Sequence, residues 1–258
     1  MEQKFFFFDI DNTLAVWPEG KIPDSAQYCI DELQRRGHLV SIATGRIQVD
    51  AMRFAEQARI TNVVADGGHS ITIDGKLVSM IGMNRDMCIQ YLEYLESKHI
   101  PWAVSDRNKL GRITPYKEIL EWHPDWDVFK TVVDLEFDFH SVEDFYKIYV
   151  FFKDGEEEEK DIEHMTHKLI RYGEGCVLYE PMEKALGVRN MSAHFHMKPN
   201  QVVVFGDVYN DLSMFRPEWL NIAMGNARAE LKLEADYITT DCDKDGIYNA
   251  CKHFGWID

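Results

Sequence analysis

Four consecutive phenylalanines, Phe5 to Phe8, run straight into Asp9-Ile10-Asp11-Asn12-Thr13. Two carboxylates two positions apart at the end of an apolar run can serve as nucleophile, as proton donor and acceptor, or as ligands of a hard cation. Two further polar clusters follow apolar runs in the same way. Thr44-Gly45-Arg46 comes after Leu39–Ala43, and Gly206-Asp207-Val208-Tyr209-Asn210-Asp211 comes after Val202–Phe205. If Asp9, Asp11, Asp207 and Asp211 share one crevice, their mutual repulsion demands a counter-charge. Oxygen donors without a neighbouring Cys or His favour a hard ion, and Mg²⁺ is the usual choice for phosphate chemistry. Lys184 offers a compact positive charge to the same place.

These groups converge only if the elements carrying them form an open α/β sheet, in which ligands bind beyond the carboxyl ends of the strands. The sequence fits one. Lys4–Phe8 reads as a strand buried on both faces, and a helix capped by Asp24 or Ser25 runs to Arg36. Leu39–Ala43 forms a second strand, 47–58 a helix and Asn62–Ala65 a third strand. Asp74-Gly75 turns a hairpin between Ser70–Ile73 and 76–78. This alternation predicts right-handed crossovers and a parallel sheet.

From residue 80 to 182 the pattern changes. An amphipathic helix over 85–98 sets Cys88, Tyr91, Leu92 and Leu95 on one side. An aromatic-rich irregular stretch follows, then a strand near 145–152, a turn at Asp154-Gly155, a helix led by Glu156–Glu159 and a strand at Cys176–Tyr179. After Lys184 the first pattern resumes, with a helix, a strand at 202–205, an apolar segment at 220–223, a helix near 227–234, a strand near 237–238 and a last helix after Asp245-Gly246. The expectation is a doubly wound parallel-sheet core, residues 1–79 and 183–258, interrupted by an α+β domain at 80–182.

Composition narrows the function. The formal charge of −16 over 258 residues repels a phosphate backbone, so no nucleic-acid partner is expected. No window approaches the roughly 20 apolar residues of a membrane span. The apolar run at the N-terminus is too short for a signal peptide, so a soluble cytoplasmic protein is expected. Five scattered cysteines predict reduced thiols rather than disulfides or zinc. His194 and His196 both fall in a predicted helix, where they point apart.

FFFDIDNTL resembles the first motif of the haloacid dehalogenase (HAD) superfamily, SIATGR its second, Lys184 its third and VVVFGDVYNDLSMF its fourth. NIAMGNARAELKLEADYIT is similar to the segment after the fourth motif in the Cof-type phosphatases of that superfamily, and the 23 positions from Lys184 to Asp207 suit that branch. The 33 residues from Asp11 to Thr44 leave no room for an inserted domain, whereas the 140 from Thr44 to Lys184 do. The resemblance therefore implies a Rossmann-like core and a large α/β cap inserted after the second motif. Ala185 stands where a glycine is usual, and Asp66-Gly67-Gly68 replaces a common Asn-Gly pair.

The resemblance implies a Mg²⁺-dependent phosphatase working through an aspartyl-phosphate. Asp9 attacks phosphorus, and Asp11 first protonates the leaving oxygen and then activates water. Asp9, the Asp11 carbonyl and Asp207 bind the metal. Ile10, Thr44, Gly45, Lys184 and Asn210 hold the phosphate, and Asp211 supports the lysine and metal. Arg46 and Lys147 are candidate substrate contacts, and Trp122-His123-Pro124-Asp125-Trp126 a candidate aromatic wall. The expected partner is a small phosphorylated metabolite: a sugar phosphate, a polyol phosphate or a phosphorylated cofactor. The stretch 79–182 carries 12 basic and 22 acidic residues, which disfavours a leaving group bearing further phosphates. A mutase on the same scaffold, a phosphoaccepting signalling domain and a non-catalytic binding protein remain as alternatives, and no self-association surface is legible.

Overall fold

The computed structural model describes residues 2–125, 128–153, 156, 162 and 169–258. The chain divides into two compact units, residues 1–80 with 182–258, and residues 81–181.

The first unit is built on an eight-stranded sheet. Its strands are β1 (Phe5–Phe8), β2 (Leu39–Ala43), β3 (Asn62–Ala65), β4 (Ser70–Ile73), β5 (Lys76–Met80), β12 (Val202–Gly206), β13 (Leu220–Ala223) and β14 (Tyr237–Ile238). They lie in the order β14-β13-β12-β1-β2-β3-β4-β5. The strands from β14 through β3 pair in parallel, and β4 and β5 close one edge as antiparallel strands. Chain order runs outward from β1 in both directions, so β1 and β12 flank the point where the winding reverses, the usual ligand position in such sheets.

Phe5 to Phe8 are completely buried on both faces of the central strand. Phe6 meets Trp256 edge-on on one face, and Phe5 meets Phe195 edge-on on the other. Each ring contributes about 1.5–3 kcal/mol of burial, which anchors the residues that follow. The helices are α1 (Asp24–Arg35), α2 (Gln48–Ala58), α5 (Lys184–His194), α6 (Ala229–Leu233) and α7 (Gly246–His253). Two expectations are corrected here. Pro23 takes the N-cap of α1 and no side chain caps it, so Asp24 acts on the helix dipole from within the first turn. His196 lies past the end of α5 with φ of 55°, because the helix stops at His194.

The second unit has a six-stranded sheet in the order β10-β11-β9-β6-β7-β8. The strands are β6 (Trp102–Ser105), β7 (Gly111–Thr114), β8 (Lys130–Val133), β9 (Lys147–Phe151), β10 (Leu169–Gly173) and β11 (Cys176–Tyr179). All pair antiparallel except β7 with β8. Cys88, Tyr91, Leu92 and Leu95 of α3 (Arg85–Ser97) pack on one face against Trp102, Val104, Ile148 and Val150. The other face carries Ala103, Tyr149, Phe151 and Leu178 under Ile119 of the one-turn helix α4 (Ile119–Trp122) and Phe129. The stretch read as irregular thus holds three strands. Each is only four residues long, too short for alternation to stand out. Trp126, Asp154-Gly155 and the helix expected from Glu156 onward lie outside the described residues, apart from Glu156 and Ile162.

Candidate active site

Phe8 pairs with Ile42 of β2 and with Phe205 of β12, so Asp9 emerges between Ala43-Thr44 and Gly206-Asp207. Neighbouring strands are about 4.8 Å apart, so all three polar clusters share one sheet edge. The Asp9 amide donates to the Phe205 carbonyl at 3.1 Å, carrying the ladder one residue past β1. Asp9, Thr44, Asp207 and Asp211 are all buried.

Lys184 reaches this edge from the first turn of α5. The turn at Asp66–Gly68 holds the residue before it: the Glu183 amide donates to the Gly67 carbonyl at 2.8 Å. Gly68 has φ of +107°, and a Cβ there would stand 2.2 Å from the Glu183 carbonyl oxygen. Only glycine allows that approach. Ser213 Oγ accepts from the Lys184 amide at 3.2 Å. The Lys184 ammonium, 1% exposed, donates to Asp9 Oδ1 at 2.7 Å and to Asp211 Oδ1 at 2.6 Å. Asp211 Oδ2 accepts from the amides of Asp207 and Val208 at 2.8 and 3.1 Å. Gly206 makes room for it, since a Cβ there would lie 2.7 Å from the Asp211 carboxylate. Thr13 Oγ1 donates to Asp207 Oδ1 at 3.2 Å.

Carboxylate oxygens of Asp9, Asp207 and Asp211 all lie within 4.8 Å of one another. Burial, then the charge of Asp211, lifts the Asp9 carboxyl to about 7 despite the Lys184 ammonium. Burial, then Asp9 and Asp211, lifts Asp207 to about 8. Burial opposes the charge on Lys184, but Asp211 and Asp9 outweigh it and hold the ammonium far beyond its ordinary range. Three ionised carboxylates against one ammonium leave two negative charges, which matches a divalent cation. Both oxygens of Asp211 are already engaged, so Asp9 and Asp207 are the side chains with coordinating capacity to spare. Asn210 Oδ1 is buried at the same edge without a hydrogen-bond partner among the described residues, an orphan that a ligand or water would satisfy. The donor set fits Mg²⁺.

Asp11 is turned differently. Its carboxylate accepts from Arg46 Nε at 2.9 Å and Nη2 at 2.7 Å, a bidentate pair. Arg46 Nη1 donates to Asp50 at 2.6 Å, and the guanidinium lies 4.5 Å from the Phe54 ring centroid. Burial works against this cation, but Asp11 and Asp50 keep it charged well above its normal range. Arg46, expected as a substrate contact, is committed to these carboxylates because Asp50 stands one helical turn further along. Thr44 Oγ1 accepts from the Arg46 amide at 3.1 Å. Ile10 is buried, and its carbonyl accepts from Leu14 and Ala15, folding 10–15 into a tight turn. Gly45 sits between Thr44 and Arg46, partly exposed.

Lys147 belongs to the second unit, where it is buried and ion-paired with Glu180. Trp122 is half-buried with the Lys153 ammonium over its ring, and the His123 carbonyl accepts from Arg112. The residues that sequence reasoning passed over are Thr13, Ser213 and Asp50. Thr13 had a signal, a hydroxyl four positions after Asp9. Ser213 and Asp50 become relevant only through the packing of α5 and the first turn of α2.

A sequence model of the haloacid dehalogenase-like hydrolases matches residues 6–251. The chain belongs to that family, and its class of activity is phosphoric monoester hydrolysis. A Streptococcus pyogenes protein named as a candidate bifunctional phosphatase/peptidyl-prolyl cis-trans isomerase is 28% identical over 261 residues; the alignment covers 99% of this chain and 54% of that protein. The Bacillus subtilis 5-amino-6-(5-phospho-D-ribitylamino)uracil phosphatase YcsE is 28% identical over 258 residues, covering 98% of this chain and 96% of YcsE. The solved structure of a subclass IIB sugar phosphatase of the superfamily superposes with a TM-score of 0.79 at 25% identity, covering 99% of this chain and 100% of that one.

Proposed function

We propose that this enzyme is a Mg²⁺-dependent phosphatase of small phosphomonoesters (sugar phosphates, polyol phosphates or phosphorylated cofactors) acting through an aspartyl-phosphate on Asp9. One observation carries the reading: a buried lysine bridges Asp9 and Asp211 beside Asp207, so that the three carboxylates, once ionised, exceed the one ammonium by two charges. Such a cluster suits a hard cation and an incoming phosphoryl group together.

Lys184 holds Asp9 through Oδ1, and its charge offsets the repulsion between the carboxylate and a phosphate dianion. Asp9 attacks phosphorus, displacing the alcohol and forming the acyl phosphate. Asp11 donates the proton that the leaving oxygen needs and then takes one from the water that hydrolyses the intermediate. For either task its carboxylate must swing off the Arg46 guanidinium. Thr44, the amides of Ile10 and Gly45, and Asn210 orient the phosphoryl oxygens. Asp9, Asp207 and the Asp11 carbonyl hold Mg²⁺, which when bound neutralises phosphoryl charge. Asp211 braces Lys184. The inserted unit supplies specificity, and the two relatives named for a sugar phosphate and a phosphorylated ribityl pyrimidine point to small substrates.

The test is phosphate release from a panel of phosphomonoesters with and without Mg²⁺, beside Asp9→Asn. Mg²⁺-dependent turnover that falls on the order of 10⁴-fold or more in Asp9→Asn supports the mechanism. Turnover retained in Asp9→Asn would remove Asp9 as nucleophile.

A further inference from the structure

One face of the second unit's sheet carries a row of polar residues across five strands. Val104 pairs with Ile113, which sets Ser105 opposite Arg112, and Arg112 itself pairs with Thr131. On the other side Ser105 pairs with Lys147, and the pairing of Ile148 with Tyr179 sets Lys147 opposite Glu180. Arg112, Ser105, Lys147 and Glu180 are all buried.

The charges in this row do not cancel. Lys147 is matched by Glu180, but Arg112, 4% exposed, forms no ion pair among the described residues. Its Nε donates to Thr131 Oγ1 and its Nη2 to the His123 carbonyl, both at 2.9 Å. Its Nη1 is buried with no hydrogen-bond partner among the described residues. Asp125, a carboxylate whose charge acts on Arg112, spends its oxygens on the Thr131 amide at 2.9 and 3.0 Å. The rings of Phe151, Phe129 and Tyr149 stand 4.8 to 5.4 Å from the guanidinium carbon and offset part of the cost of burial. Ring faces supply no lone pair in the guanidinium plane, so Nη1 keeps its two N–H donors unused. A buried, unmatched cation is costly, and a bound anion is the direct remedy.

We propose that Arg112 anchors an anion site in the second unit, taking a compact oxyanion (a carboxylate or phosphoryl group of a small molecule) through Nη1. Planar guanidinium donors suit such paired oxygens. The site is separate from the reading of Asp9 and does not depend on it.

The experiment follows the Arg112 Nε–H resonance of the ¹⁵N-labelled full chain, identified by its loss in Arg112→Met. Sodium phosphate, sodium succinate and sodium chloride are titrated at matched ionic strength. A saturable shift with phosphate or succinate and none with chloride is expected, and the tighter of the two tells phosphoryl from carboxylate. No saturable shift with either, or an equal response to chloride, overturns the proposal. Thermal unfolding adds a second readout. Without oxyanion, Arg112→Met matches or exceeds the wild type, because an uncompensated charge has gone, and its remaining response to succinate is nil. A variant less stable than a wild type that itself ignores succinate would make the guanidinium a structural tie to Thr131 and His123. If Arg112→Met does not fold, the resonance is assigned through its couplings and the wild-type titration decides. Repeating it in Asp9→Asn separates the two readings: the Arg112 shift persists there, whereas loss of phosphate release reports on Asp9 alone.

Discussion

Replacing Lys184 by methionine keeps the stem of the side chain and deletes one charge at a site that is 1% exposed. Two charge-assisted bonds disappear, to Asp9 at 2.7 Å and to Asp211 at 2.6 Å. With the three carboxylates ionised and no bound ion, the excess at the cluster grows from two negative charges to three. Removing one partner of a buried ion pair costs about 3–5 kcal/mol, a large share of the roughly 5–15 kcal/mol that holds a domain folded. The loss must depend on pH. Asp9 and Asp207 already stand at about 7 and about 8, against an ordinary 3.8, while Lys184 pulls both down. Removing it pushes both further up. Carboxyls raised in the folded state bind more protons there than in the unfolded chain, so stability is full below about pH 4 and is lost as pH rises through the folded values, by up to about 1.4 kcal/mol per pH unit for each proton. Urea unfolding of metal-free Lys184→Met and wild type at pH 5 and pH 8 reads this directly. The deficit should be several kcal/mol at pH 8 and clearly smaller at pH 5. A deficit under about 1 kcal/mol at pH 8, or one equal at both pH values, would mean that Lys184 is not the counter-ion of this cluster.

Metal-free wild type should lose stability between pH 4 and 8, and Mg²⁺ should restore it while displacing protons from Asp9 and Asp207; calorimetry in buffers of different ionisation enthalpy counts them, and no release at pH 7 would contradict the raised carboxyls. Thr13→Val leaves Asp207 Oδ1 without its hydroxyl donor, so about 1–2 kcal/mol of stability and part of the Mg²⁺ affinity should go; unchanged affinity by titration would place Asp207 outside the metal site. Gly68→Ala drives a methyl into the Glu183 carbonyl at a φ of +107°. It should cost more than about 1 kcal/mol in unfolding and lower kcat through a displaced Lys184; a neutral substitution would show that the turn does not set the lysine.

The acidic edge of this protein was legible in its sequence to the extent that it is written at strand ends. Apolar runs ending in Asp9, Thr44 and Asp207 mark strands buried on both faces, and parallel order puts their carboxyl ends together, so Asp9, Asp11, Thr44, Asp207 and Asp211 needed only local pattern. The α5 helix and the core strands follow from the same patterns. What local pattern could not supply is pairing across long sequence separation. Arg46 looked available for substrate until the first turn of α2 brought Asp50 to one edge of its guanidinium and the turn after β1 brought Asp11 to the other. Strands of four residues in the second unit carry too little alternation to declare themselves, and only their hydrogen-bonded partners make them a sheet. Lys147 and Arg112 show the limit most plainly. Nothing in the chain tells a matched buried cation from an unmatched one, because that depends on which strand each residue faces, and only the folded register places Glu180 beside Lys147 and leaves Arg112 without an ion pair among the described residues.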